Sequence, residues 1–306
     1  MSDRPTRRVA IGLGITAALL ASPVVARQAD EFESGTPLHG RISVLVHVND
    51  AGPYRFVVDT AANTSVVSAS LAGALNMAPA GQAIMHTVVG PEVVDMVNCR
   101  SIQSGALRRR DIRLAVASGV GLDGADGLIG TDLLRSFRLV LNFRGIARTH
   151  ITNSLITPKG FLDPTPPSAR MRVEGETRFG RLLKVPAWVG GIRVDAIIDT
   201  GARYTIANNA LIDAVNARAI QTGNGADTQR VLSPTGAGIT ARIAQLPQLT
   251  FAGAGFQRPS VLFGDFHIFR LWDLADRPAL LIGVDLLGML ASVIIDLPRG
   301  ELILHV

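Results

Sequence analysis

The alternation in Ile42-Ser43-Val44-Leu45-Val46-His47-Val48 has the period of a half-buried β-strand. Continuous apolar runs, Phe56-Val57-Val58 and Ala196-Ile197-Ile198, predict two further strands, each ending at an aspartate, Asp59 or Asp199. Turn chemistry separates the strands at Asn49-Asp50-Ala51-Gly52-Pro53 and at Gly190-Gly191. Pro186 lies within an otherwise strand-like stretch, so an edge position or a bulge is expected there. Short helices are predicted from Ala69 to Leu75 and from Asn209 to Ala217. Leu139 to Phe143 and Ser292 to Leu297 read as closing strands, the latter turning at Pro298-Arg299-Gly300 into Glu301 to Val306 as a final hairpin. The expected class is mostly β.

These patterns are written twice. Leu128-Ile129-Gly130-Thr131-Asp132-Leu133-Leu134 recurs as Leu281-Ile282-Gly283-Val284-Asp285-Leu286-Leu287, identical at six of seven positions. Phe56-Val57-Val58-Asp59-Thr60-Ala61-Ala62 is answered by Ala196-Ile197-Ile198-Asp199-Thr200-Gly201-Ala202. Each Asp follows a Gly-Arg pair, Gly40-Arg41 or Gly180-Arg181, by 19 residues. Matched landmarks in the same order mean duplication. From Asp to the glycine motif the spacing is 71 residues in the first copy and 84 in the second. The extra length falls in a loop around Asp265 to Pro278 that carries Phe266, His267, Phe269 and Trp272.

Composition adds a compartment and removes some functions. At 306 residues and 47% hydrophobic, with 18% charged, the chain is long and apolar enough for one large or two modest cores. Residues 1–26 begin with Arg4, Arg7 and Arg8, continue through an apolar stretch from Val9 to Leu20, and end at Pro23-Val24-Val25-Ala26. This is the pattern of an export signal, so a periplasmic or secreted protein is expected, with an uncleaved inner-membrane anchor as the alternative. The formal charge of +5 falls to +3 once the +2 of that segment is removed. Arg108-Arg109-Arg110, the dense basic cluster, lacks the interleaved aromatics of a nucleic-acid platform, so no nucleic-acid partner is expected. The single cysteine, Cys99, excludes an intramolecular disulfide and has no nearby His to make it a nucleophile. The six His and the scattered acids show no metal-ligand spacing.

An Asp that ends a buried apolar run is costly to ionise away from water, unless partners stabilise it. One explanation is structural: each Asp makes an Asx-type turn at a strand end. The duplication supplies another, because an approximate twofold axis brings equivalent residues together, and Asp59 would then face Asp199. Two carboxylates about 4 Å apart repel by about 4 kcal/mol at an effective dielectric of about 20, or about three pKa units. Such a pair keeps one proton over a wide pH range and titrates as a unit. Its ionised member can take a proton from water while the protonated member polarises a carbonyl, and no cofactor is required.

Asp59-Thr60-Ala61-Ala62 and Asp199-Thr200-Gly201-Ala202 resemble the Asp-Thr/Ser-Gly/Ala signature of the pepsin and retropepsin clan of aspartic peptidases. Leu128-Ile129-Gly130 and Leu281-Ile282-Gly283 resemble the hydrophobic-hydrophobic-glycine motif that packs behind each catalytic loop of that clan. The Gly-x-Asp-Leu-Leu continuation is similar to bacterial exported retropepsin-like members. The resemblance implies two fused lobes in a retropepsin-like acid-protease fold with pseudo-twofold symmetry and a cleft between them. It also implies Asp59 and Asp199 as a catalytic dyad, with Thr60, Ala61, Thr200 and Gly201 supporting the loops. A flap is implied after each Asp, at Val89-Gly90-Pro91 and at Ser233 to Gly238, so that Val89, Gly90, Thr235 and Gly236 would meet substrate. The substrate implied is an extended polypeptide, handled by a monomer without metal or cofactor.

The implied organisation is a signal (1–26), a spacer (27–36), a first lobe (37–152), a proline-rich linker (153–172) and a second lobe (173–306). Asp132 and Asp285 are expected to cap short helices behind the glycine motif. Asp296 and the aromatic residues around His267 are expected to be structural. The competing function is an inactive peptide-binding or regulatory protein on the same fold, although both Asp-Thr pairs are retained.

Overall fold

The computed structural model describes residues 40–144, 148–153, 170–178, 182–222 and 225–306. The expected export signal, the spacer, Gly180-Arg181 and residues 154–169 of the linker lie outside the described residues. At the ends of that linker, Arg148–Asn153 and Arg170–Glu174 are strands.

Each copy of the repeat builds the same crossing of strands. In the first, Ala51–Val58 runs parallel to Gly127–Ile129, which pairs antiparallel with Val66–Ser68, itself parallel to Leu107–Ala117. In the second, Ile192–Ile198, Ala279–Ile282, Ile206–Ala207 and Ser260–Phe263 repeat those pairings in the same senses. Parallel strands enclosed on both faces require uninterrupted apolar sequence. That is why Phe56, Val57 and Val58, and Ala196, Ile197 and Ile198, are fully buried. The opening turn is tight because Asn49 and Asp50 both adopt positive φ, 52° and 68°, which these two residue types tolerate better than most.

Short helices follow each Asp loop, at Ala69–Ala74 and Asn209–Ala214. Each is capped by the residue before it: Leu71 N donates to Ser68 Oγ at 3.2 Å, and Leu211 N to Asn208 Oδ1 at 2.9 Å. The second ends earlier than the predicted Ala217, with Asn216 at positive φ. Pro186 pairs with Asp195 on one side. On the other side it falls between two partners, Glu176–Arg178 against Leu182 to Lys184 and Leu249–Phe251 against Ala187 to Val189. No ladder donor is required at that gap.

The lobes are joined by a five-stranded antiparallel sheet in which Phe137–Asn142 of the first lies beside Ser292–Asp296 of the second. Val140 opposite Ile294 and Leu139 opposite Ile295 interlock the two copies through buried aliphatic residues. Asp296, completely buried, pairs with Arg138 at 3.5 Å and serves this seam. The segment around Asp265 is not a loop throughout, because His267–Leu271 is a short helix. The reason is spacing: Phe266, Phe269 and Trp272 recur every third residue, and all three are buried, packed edge to face at 6.3 and 6.5 Å. Among the described residues, no helix is long and apolar enough to cross a membrane.

Candidate active site

The two Asp loops meet at the junction of the lobes. Asp59 N donates to Ile129 O and Asp199 N to Ile282 O, each at 3.0 Å, so the Leu-Ile-Gly strand positions the start of each loop. Asp59 Oδ1 then accepts from Ala61 N and Ala62 N at 2.9 and 2.7 Å, and Asp199 Oδ1 from Gly201 N and Ala202 N at 2.7 and 3.2 Å. The Asx-type turn anticipated as an alternative to function is therefore present in both copies, together with the pairing. The two carboxyl groups are near enough for each to shift the protonation of the other. A Cβ added to Gly201 would lie 2.2 Å from Asp59 Oδ2.

Thr60 and Thr200 lock the loops together. Thr60 Oγ1 donates to Ile198 O at 2.7 Å, Thr200 Oγ1 donates to Val58 O at 2.6 Å, and Thr200 N donates to Thr60 Oγ1 at 3.1 Å. Ala61, where the second copy has Gly201, keeps the same hydrogen bond to its Asp, so the extra methyl leaves the loop geometry unchanged. Behind the loops, Gly130 and Gly283 admit no side chain: a Cβ would meet Ala62 O at 2.8 Å and Tyr204 C at 2.7 Å.

Asp132 does not provide the helix cap expected of it, whereas Asp285 does so in part, its Oδ1 accepting from Leu286 N in the first turn at 2.9 Å. The cap positions are Gly130 and Gly283, without side-chain bonds. Asp132 instead accepts from Ser65 N and Oγ at 3.1 and 2.6 Å, and Asp285 also accepts from Thr205 N and Oγ1 at 3.0 and 2.7 Å. Ser65 Oγ and Thr205 Oγ1 in turn accept from Gly130 N and Gly283 N at 2.9 and 3.1 Å. These links fasten each Asp loop to its glycine motif. Ser65 and Thr205 each lie six residues after their Asp, a repeat spacing that marks them in the sequence.

Burial pushes both dyad carboxyls above their ordinary value of 3.8. Asp199, 7% exposed, rises well above it, because the Asp59 charge adds to desolvation. The rise at Asp59 is opposed by the N–H groups of Ala61 and Ala62 and by the charge of Arg41. The two groups therefore keep their protons to higher pH than ordinary carboxyls and titrate as a coupled pair.

A family model described as aspartyl protease matches residues 44–133 and again residues 185–286, one match over each Asp loop and its glycine motif. The chain belongs to the aspartyl protease family. No curated protein matched it.

In this aspartyl protease the Asp loops floor a cleft of about 650 Å³. Its roof is two hairpins, Pro79–His86 with Pro91–Ser104, and Thr228–Leu232 with Gly238–Gln245. The sequence-predicted flap tips are the turns of these hairpins. The lining comes from the stems and from the turn residues next to them, including His86, Thr87 and Val88 on one hairpin and Arg230, Val231 and Leu232 on the other, and the predicted turn Ser233 to Gly238 reaches the cleft through Pro234. Val89, Gly90, Thr235 and Gly236 are not among the lining residues.

Each hairpin is tied to the opposite lobe. His267 N donates to Val88 O at 3.1 Å, and His86 Nδ1 lies 2.9 Å from His267 Nε2 with the rings stacked at 5.2 Å. On the other side, Ser118 Oγ donates to Thr235 O at 2.5 Å, and Thr235 Oγ1 donates to Glu92 Oε2. The aromatic neighbours of His267 pack as expected, but His267 itself joins the roof. Arg41 and Arg203 also line the cleft. The sequence marked Arg41 only as the repeat counterpart of Arg181, and Arg203 not at all, because the first copy has Asn63 in its place.

Cys99 is 1% exposed, and burial pushes its thiol up to about 11, which leaves it unreactive. Among the described residues, no group of three or more His, Cys, Asp and Glu side chains is placed to hold a metal ion.

Proposed function

We propose that the chain is an exported aspartic endopeptidase that hydrolyses an extended polypeptide with a water activated by Asp59 and Asp199. The observation that carries this reading is the pairing of the two Asp loops on the cleft floor, each carboxylate oriented by two backbone N–H groups and both loops cross-bonded through Thr60 and Thr200. The ionised carboxylate removes a proton from water as the oxygen attacks the scissile carbonyl carbon. The protonated carboxyl donates to the carbonyl oxygen. Collapse of the tetrahedral intermediate breaks the C–N bond, and the proton is returned to the departing amine. Two fused lobes supply both aspartates, so one chain suffices. The hairpins over the floor must part to admit a polypeptide, and Val89-Gly90 and Thr235-Gly236 are the tips that move.

The test is turnover of a denatured protein by the wild type, Asp59→Asn and Asp199→Asn from about pH 3 to pH 8. Either substitution should abolish cleavage, and equal cleavage by all three proteins rejects the dyad. If none cleaves while a peptide still binds, the regulatory reading is preferred. Export is tested by sequencing the N terminus of protein from the cell envelope: loss of residues 1–26 is expected, and an intact Met1 points to the anchored form.

A further inference from the structure

Three guanidinium groups border the cleft, those of Arg41, Arg203 and Arg230. Each is held by contacts that leave its charge intact. Arg41 Nη1 donates to Gly121 O at 3.0 Å, Arg203 lies over the Tyr204 ring at 5.1 Å, and Arg230 lies along the backbone of Gly238. None of the ion pairs among the described residues uses any of them. Among the described residues, three carboxyls stand in the lining beside these three arginines, those of Asp59, Asp199 and Asp123.

The three arginines belong to one end of the cleft. The Arg203 side chain covers Gly40, with its Cγ 3.5 Å from where a Cβ would stand, and Gly40 immediately precedes Arg41. Arg41 reaches Gly121, which is pressed so closely against Ser233 and Pro234 that no side chain fits there. Ser233 follows directly on the strand Thr228–Leu232 that carries Arg230. The chain of contacts therefore runs from Arg203 through Arg41 to the hairpin of Arg230.

The duplication makes this end different from the other. Four and five residues after Asp199 stand Arg203 and Tyr204, where the first copy has Asn63 and Thr64 after Asp59. The corresponding hairpin stem of the first lobe offers Ile84 and Met85 to the cleft, followed by His86, which is bonded to His267. Among the described residues the arginines of the lining are these three; Arg181, the repeat counterpart of Arg41, lies outside them. A polypeptide lying across Asp59 and Asp199 would meet this cluster of guanidinium groups on one side of its scissile bond.

We propose that Arg41, Arg203 and Arg230 form a subsite for a carboxylate-bearing residue, Asp or Glu, of the substrate on one side of the cleaved bond. This rests on the peptidase reading for its place beside the bond, but the binding it describes does not need turnover. An acidic side chain in this partly enclosed cleft gains charge-assisted hydrogen bonds, worth roughly tenfold or more over its amide isostere. A terminal carboxylate would offer the same chemistry, so the test must separate the two.

The experiment uses fluorogenic peptides with both ends blocked, in Glu and Gln pairs at every position on either side of the bond. The Glu-to-Gln ratio of kcat/KM is read for the mature chain, Arg203→Glu and Arg230→Glu. In parallel, binding of the same pairs to Asp59→Asn is read by fluorescence polarisation. A ratio of roughly ten or more at positions on one side, inverted toward Gln by either arginine substitution, is the expected result. Ratios near one at every position, with the Gln peptides cleaved, overturn the subsite and leave the peptidase reading standing. Absent turnover with Glu-selective binding does the reverse. A preference seen only when the C terminus is unblocked overturns the side-chain assignment in favour of a chain end.

Discussion

Thr60 and Thr200 each donate a hydroxyl to the carbonyl that precedes the other's aspartate, Ile198 O at 2.7 Å and Val58 O at 2.6 Å, and both side chains are fully buried. Each therefore holds the opposite lobe's loop rather than its own. Thr60→Val or Thr200→Val keeps the volume but strands a buried carbonyl, which costs about 1–3 kcal/mol. Urea unfolding should show that loss for each, with Thr→Ser close to wild type. An unchanged midpoint in both valine variants would remove the cross-lobe bonds from the account.

The two loops differ where Ala61 faces Gly201 in the repeat, and the structure says which position tolerates a methyl. Gly201→Ala places a Cβ on the Asp59 carboxylate and should lower kcat about a hundredfold by displacing it, with the KM changed much less. Ala61→Gly should leave the rate within a few-fold of wild type. Equal effects of the two substitutions would contradict the asymmetry.

The dyad makes stability depend on pH in a stated direction. Because the Asp199 carboxyl is raised well above 3.8 in the folded chain, the folded state binds more protons than the unfolded one at pH above that value. Stability is then greatest below the unfolded pKa and is lost as pH rises through the folded one. Asp199→Asn removes the penalty and still accepts from Gly201 N. It should be more stable than wild type at neutral pH, with the difference vanishing in acid. A constant difference across the range, measured by denaturant unfolding, would contradict this.

His267 titrates below 6.5, first because it is desolvated and then because of His86 and Arg270. Asp265 pairs with Arg270, and Glu92, on the strand beside that of His86, is held by Thr87 and Thr235. The unfolded state takes a proton more readily than the folded roof, so the contact weakens as pH falls through 6.5. In an NMR titration His86→Ala should move the His267 midpoint upward. A midpoint that does not move would mean that burial and Arg270 set it without His86.

Most of the floor was legible without coordinates, because it is built from local rules applied twice. Apolar runs ending in Asp, a glycine motif and repeat spacing are each readable within a few residues, and duplication then supplies the partner. The link of Ser65 to Asp132 and of Thr205 to Asp285 had the same repeat signature, but Asp at a helix start reads as a cap unless the facing loop is known. The short helix His267–Leu271 carried its three-residue aromatic spacing in plain view.

The contacts that tie the roof to the opposite lobe, and the charge of the cleft, had no such signal. His86 and His267 are 181 residues apart, and Ser118 and Thr235 are 117 apart, with no counterpart in the other copy to suggest either contact. The sequence by itself determined the duplicated β framework and the two aspartates, since strand periodicity and repeated motifs are properties of short segments. Only the tertiary structure decided which side of the cleft carries Arg41, Arg203 and Arg230, because that depends on how unlike loops pack around a nearly symmetric floor.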